Sequence, residues 1–100
     1  MSNDSIMPTH PGKFLARGLQ DLHFSLSQTA RGTGIPLSTL SAIANGRRPI
    51  SAENALRLGR YLNTSARYWI NLQADYDLRM AELDKAESVE REVIPAVSNV

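Results

Sequence analysis

Apolar residues return every three or four positions along most of the chain, and almost nowhere do they alternate with polar ones. That period belongs to helices with one buried face, and no stretch alternates long enough to predict a strand. Phe14, Leu15, Leu19 and Leu22 mark a first helix over about residues 11–22, with Pro11 where a helix tolerates its first proline. Ser25-Leu-Ser-Gln28 has the form of a capping box. Leu26 and Ala30 give the helix that follows its inner side, and Ile35 packs just beyond its end. Gly34 can take the left-handed conformation that stops this second helix, and Pro36 starts the next. The third helix, about 37–44, buries Leu40 and Ile43 and ends at Asn45-Gly46.

Ser51 caps a fourth helix, about 52–62, with an inner stripe of Ala55, Leu56, Leu58, Gly59 and Leu62. Asn63-Thr64-Ser65 caps a fifth, which begins near Ala66 and reaches about Ala86. Trp69, Leu72, Tyr76, Met80 and Leu83 run along one side of it, and Ile70, Ala74, Leu78 and Ala81 form a second stripe beside them. The pattern is missing from residues 1–9 and fades after 86, where Pro95 interrupts the chain. The prediction is an all-α, five-helix domain over 10–86 with a long C-terminal helix, a flexible arm at 1–9 and a flexible tail at 87–100.

Composition removes several classes of function. One hundred residues suit a single small domain, and the absence of cysteine excludes disulfides and thiolate metal sites. His10 and His23 stand too far apart to form a zinc-ligand pair on one helix. No apolar run approaches the roughly 20 residues of a membrane span, and no signal-peptide pattern opens the chain, so a soluble cytoplasmic protein is expected. His10 has no catalytic partner nearby in sequence, and Asp75 and Asp77, two positions apart, point to different faces of a helix. Neither a phosphate-binding loop nor a nucleophile motif occurs. No catalytic residue, metal site or cofactor is predicted.

The net charge of +1 conceals an asymmetry. Residues 1–66 carry seven Lys/Arg against three acids, whereas residues 67–100 carry four against seven. Between Asp21 and Glu53 there is no acidic residue, so a polyanion meets no repulsion from that stretch of sequence. This same segment holds two short helices joined by a turn at Gly34. Two helices crossing steeply need a small residue at their contact, which Ala30 supplies, and a turn residue free to adopt positive φ, which Gly34 supplies. The spacing is that of a helix-turn-helix. A plain helical hairpin would require neither the charge gap nor the arginines that follow.

In a helix-turn-helix the second helix enters the DNA major groove, its N-terminal residues over the base edges. Leu37, Ser38, Thr39, Ser41 and Ala42 are the candidates for base reading. Hydroxyls can bond to base edges or backbone oxygens, and Leu37 and Ala42 suit thymine methyl groups. Arg47 and Arg48 follow the helix and are placed to hold phosphates, joined by Ser25, Gln28 and Asn45 as further backbone contacts. None of the five base-reading candidates is a Gln, Asn or Arg able to make a bidentate base contact, so part of the specificity is expected from DNA shape.

"HPGKFL" (10–15) and "ANGRRPISAENALRLGRYLNTSARYWINLQADYDLRMAE" (44–82), with the helix-turn-helix between them, resemble the HigA family of antitoxins. That family belongs to the XRE-type, lambda-repressor-like helix-turn-helix regulators and is related to the VapI-like proteins. The resemblance spans roughly 10–83. The helix-turn-helix alone is generic, while the HPG opening, NGRRPI and Trp69-x-Asn-Leu-Gln-x-x-Tyr-Asp-Leu78 are much more specific. It implies a homodimer that binds a HigB-type toxin, a ribosome-dependent mRNA endonuclease, and represses its own operon by binding double-stranded operator DNA. The family's reading helix matches 37–44, which carries over to Ser38, Thr39 and Ser41. Pro36, Leu37 and Gly32 depart from the commoner pattern.

The wide apolar arc of the fifth helix is expected to form the dimer through Trp69, Leu72, Tyr76, Met80 and Leu83, placing two reading helices about one DNA turn apart. The acidic stretch Asp75 to Glu92 is where a basic ribonuclease would be attracted, although such faces are commonly only solvated. A free-standing XRE-type repressor without a toxin would share every DNA-binding feature.

Overall fold

A computed structural model describes residues 7–97, so most of the expected arm and the end of the tail lie outside the described residues. Among the described residues the chain forms α1 (Pro11–Asp21), α2 (Leu26–Thr33), α3 (Leu37–Ala44), α4 (Ala52–Leu62) and α5 (Ala66–Glu92), with no strand. No helix among these is long and apolar enough to cross a membrane.

Local chemistry sets each boundary. Ser25, Ser51 and Ser65 accept the amides of Gln28, Asn54 and Tyr68 at 3.0, 3.1 and 3.0 Å, which caps α2, α4 and α5. Of the expected capping box, the bond that forms is the serine half. The cap of α1 is His10, whose Nδ1 accepts the Gly12 amide at 2.8 Å. Gly34 ends α2 at φ 79°, and Asn63 ends α4 in the same left-handed region at φ 56°.

The core consists of Leu15, Leu19, Ile35, Leu40, Ile43, Ile50, Ala55, Leu58 and Trp69, supplied by all the helices except α2 and by the loops around α3. α1 and α2 pack on α3, α4 packs on α2 and α5, and α5 also touches α1. Several inner positions differ from the expected stripes. Of the expected first stripe, Leu15 and Leu19 are buried, whereas Phe14 is exposed on α1 and Leu22 is exposed just past its end. Leu56 is 65 % exposed, on the outside of α4. In α2 the fully inward residues are Thr29 and Thr33, with Leu26 and Ala30 only half-buried. Their hydroxyls donate to the carbonyls of Ser25 and Thr29 at 2.9 and 2.7 Å, so the helix satisfies them itself and their methyl groups are free to pack.

Gly32, an unfavourable residue inside a helix, has a steric reason for its place in α2. The Tyr61 ring of α4 lies where a Cβ would stand. Nearby, Arg57 donates to the Thr33 carbonyl at 2.9 Å and pairs with Glu53 at 3.0 Å, so an orphan carbonyl at the end of α2 is satisfied from α4.

α5 runs six residues past its expected end at Ala86. From Ala81 to Glu92 every residue except Ser88 is exposed, so this last portion leaves the body of the domain. Alanine, glutamate, lysine and arginine favour helix without needing a buried stripe, which is why the hydrophobic pattern stops before the helix does.

Candidate nucleic-acid interface

α3 is anchored from beneath and open from above. Leu40 and Ile43 are fully buried, which fixes the rotation of the helix about its axis. The opposite side then presents Leu37 and Ser38 as exposed residues and Thr39, Ser41 and Ala42 as half-buried ones. All five base-reading candidates therefore retain accessible surface on one short helix. Leu37, the first residue of the helix, is 46 % exposed and leaves an apolar surface open there.

The helix ends in a tight turn. Asn45 and Gly46 donate to the carbonyls of Ser41 and Ile43, both at 3.0 Å, and Arg47 donates to Ala42 at 2.9 Å. Gly46 takes φ 76°, which an L side chain would resist. With the last carbonyls of α3 satisfied, the chain turns away and leaves Arg47 and Arg48 exposed. Arg48 reaches back along the helix, its Nη1 lying 3.4 Å from Thr39 Oγ1, and Asn45 Nδ2 lies 3.5 Å from Ser41 Oγ. One guanidinium is thus held at the edge of the α3 surface. Among the described residues no carboxylate lies on α3 or its flanking turns, since the acid-free stretch covers the whole of both.

Ser25 and Gln28, the two candidates at the start of α2, are exposed and joined through the cap bond. Ser25 Oγ accepts there, which leaves its O–H available as a donor. The amides of the first turn of α2 carry the positive end of the helix dipole, which suits a phosphate neighbour.

The expected dimer residues divide into two groups. Trp69 is 3 % exposed within a single chain and its Nε1 donates to Thr64 Oγ1 at 2.8 Å, so it belongs to the core and has no surface to offer a partner. Leu72, Tyr76 and Met80 are half-buried and Leu83 is exposed. The neighbouring stripe is the open one, with Ala74, Leu78 and Ala81 exposed, Leu78 to 61 %.

Two residues of the HPG and Trp69–Leu78 motifs have a supporting role that the sequence does not assign. His10 caps α1, packs edge-on against Tyr76 with ring centroids 4.9 Å apart, and faces the position where a Cβ of Gly46 would stand. Burial pushes its imidazole below the ordinary value, while the charge of Asp77 opposes that shift. Gln73 is buried and bonds Ile50 and Asp77. A glutamine on an apolar stripe gives no signal of either bond in the sequence.

Comparison with known proteins places the site in context. The Helix-turn-helix family model matches residues 15–69. Virulence-associated protein I of Dichelobacter nodosus is 39 % identical over 77 residues, which is 76 % of this chain and 71 % of that protein. A HigA-family addiction module antidote protein from Coxiella burnetii superposes with a TM-score of 0.86 at 41 % identity, covering 89 % of this chain and 98 % of the other. The Pseudomonas aeruginosa antitoxin HigA, solved with the higBA promoter, superposes at 0.85 with 37 % identity, covering 90 % and 99 %.

Proposed function

The chain belongs to the helix-turn-helix family, in the branch of HigA antitoxins and VapI-like proteins, and on that premise we propose that it is the antitoxin of a toxin–antitoxin pair that represses its own operon. Its relatives are DNA-binding regulators and antitoxins, not enzymes. The observation that carries the proposal is the likeness to a HigA solved on promoter DNA, together with an uncharged, outward α3 followed by two exposed arginines. On this reading α3 lies in the major groove of the operator. Ser38, Thr39 and Ser41 bond base edges, and Leu37 and Ala42 meet thymine methyls. Arg47, Arg48, Asn45, Ser25 and Gln28 hold the phosphates that set register.

The protein acts as a cytoplasmic homodimer, its partner copy seated on α5. The burial of Trp69 and the exposure of Leu78 support an interface that runs through the open stripe of Ala74, Leu78 and Ala81, with Leu83 of the expected set beside it. Leu78→Glu would then produce monomer in sedimentation at concentrations where the unaltered chain is dimeric. An unchanged dimer would place the interface elsewhere.

The toxin is a HigB-type endonuclease, and neutralisation is tested by survival. Colonies are counted after inducing the short gene that adjoins this one, with and without this protein supplied from a second plasmid. Killing that the protein prevents is the expected result. A neighbour that is harmless, or that kills regardless, assigns the chain to the free-standing repressors.

A further inference from the structure

We infer that Gln73 of α5 is a positioning residue for DNA binding, holding the Arg47-Arg48 turn in register with α3 through the backbone of Ile50; this rests on the phosphate role proposed for those arginines. The chain leaves α3 at Gly46 and re-enters the core at Ile50, with Arg47, Arg48 and Pro49 exposed between. Pro49 has no N–H, so the first amide after the arginine pair that can anchor the turn is that of Ile50. It donates to Gln73 Oε1 at 2.8 Å, and Gln73 is only 7 % exposed.

The direction of the glutamine amide is settled by its second bond. Gln73 Nε2 donates to Asp77 Oδ1 at 3.0 Å, and an ionised carboxylate can only accept. Asp77 therefore turns the amide so that its oxygen faces Ile50. At the other end of the turn, the His10 ring that packs on Tyr76 faces the position where a Cβ of Gly46 would stand. The Ile50 end of the span that carries the arginines is thus tied directly to α5, at Gln73 and Asp77.

The test is equilibrium binding to a duplex from the region upstream of the chain's own gene, measured across a range of salt, with thermal melts to establish that each variant is folded. Gln73→Leu should weaken binding about tenfold and lower the salt slope, because misplaced arginines release fewer counterions. Added to Arg47→Ala/Arg48→Ala, it should cause no further loss. Gln73→Glu keeps an acceptor for the Ile50 amide but turns a second carboxylate oxygen toward Asp77, and that repulsion should weaken binding in the same direction as Gln73→Leu, by less. The pair Gln73→Glu/Asp77→Asn reverses the donor and acceptor, restores both bonds and should recover binding to within about twofold. Should Gln73→Leu fail to fold, the comparison of Gln73→Glu with Gln73→Glu/Asp77→Asn decides alone. An equal loss in both arginine backgrounds with an unchanged slope, or no recovery in the paired variant, would overturn the inference. If the arginine variant itself binds normally, the phosphate role and the inference fall together.

Discussion

The α-carbon of Gly12 rests against the backbone carbonyl of Ile43, so closely that a Cβ would overlap the oxygen. This is where the start of α1 meets the end of α3, and backbone cannot move aside as a side-chain tip can. Gly12→Ala is expected to destabilise the domain by about 1–3 kcal/mol through overpacking. At about 4–8 °C per kcal/mol for a domain of this size, the melting temperature should drop visibly. Gly18, on the same helix, has nothing within 4 Å of its Cβ position. Gly18→Ala should instead stabilise by about 0.5–1 kcal/mol. Thermal unfolding of the two variants checks both signs, and equal behaviour would contradict the packing described.

Gly32 and Tyr61 give a second case in which steric contact opposes intrinsic propensity. Alanine is favoured over glycine inside a helix by about 1 kcal/mol. Here the Tyr61 ring, which also packs on Phe24 at 5.8 Å, occupies the space of the new methyl. Gly32→Ala should therefore destabilise the unaltered chain yet stabilise the Tyr61→Ala variant. Denaturant unfolding of the four proteins measures this reversal, and a substitution that stabilises both backgrounds would show that the ring simply moves away.

Much of this architecture is legible in the sequence because its signals are local. Ser25, Ser51 and Ser65 each cap within three residues, and Gly34 and Gly46 sit where the backbone needs positive φ. With the apolar period and the prolines at 11 and 36, those signals outline five helices and the helix-turn-helix. What stayed hidden depends on contacts distant in sequence. Thr29 and Thr33 carry no sequence signal of burial, which becomes possible because their own helix satisfies their hydroxyls. The apolar stripes of α5 could not reveal that Trp69 is covered by its own chain whereas Leu78 is left mostly exposed. On α3 the candidate surface was legible, since Leu40 and Ile43 fix its rotation. The bond from Gln73 was not, because a contact across 23 positions leaves no local trace, nor was the packing of His10 on Tyr76, 66 positions away.

Stability should depend on pH through His10. Its Nδ1 needs a free lone pair to accept the Gly12 amide, so the folded chain holds the neutral imidazole. Its folded value lies below 6.5, chiefly because of burial, with Asp77 pulling the other way. The contribution is therefore complete above 6.5 and lost as pH falls from there through the folded value. His10→Asn retains a capping acceptor without titrating in this range. The melting temperatures of the two proteins, followed from about pH 8 to about pH 5, should show the unaltered chain losing ground to the variant below neutrality. A constant difference across the range would remove His10 from the account.

The claim that α3 and its trailing arginines form a DNA-reading surface is tested most directly by fluorescence anisotropy on a duplex from the region upstream of the gene. The unaltered chain and Arg47→Ala/Arg48→Ala are each titrated between about 50 and 200 mM salt. If the arginines hold phosphates, the logarithmic salt slope should fall by about one for each arginine on each bound protomer, and binding should weaken for every sequence alike. Identical affinities and identical slopes for the two proteins would contradict the proposed surface.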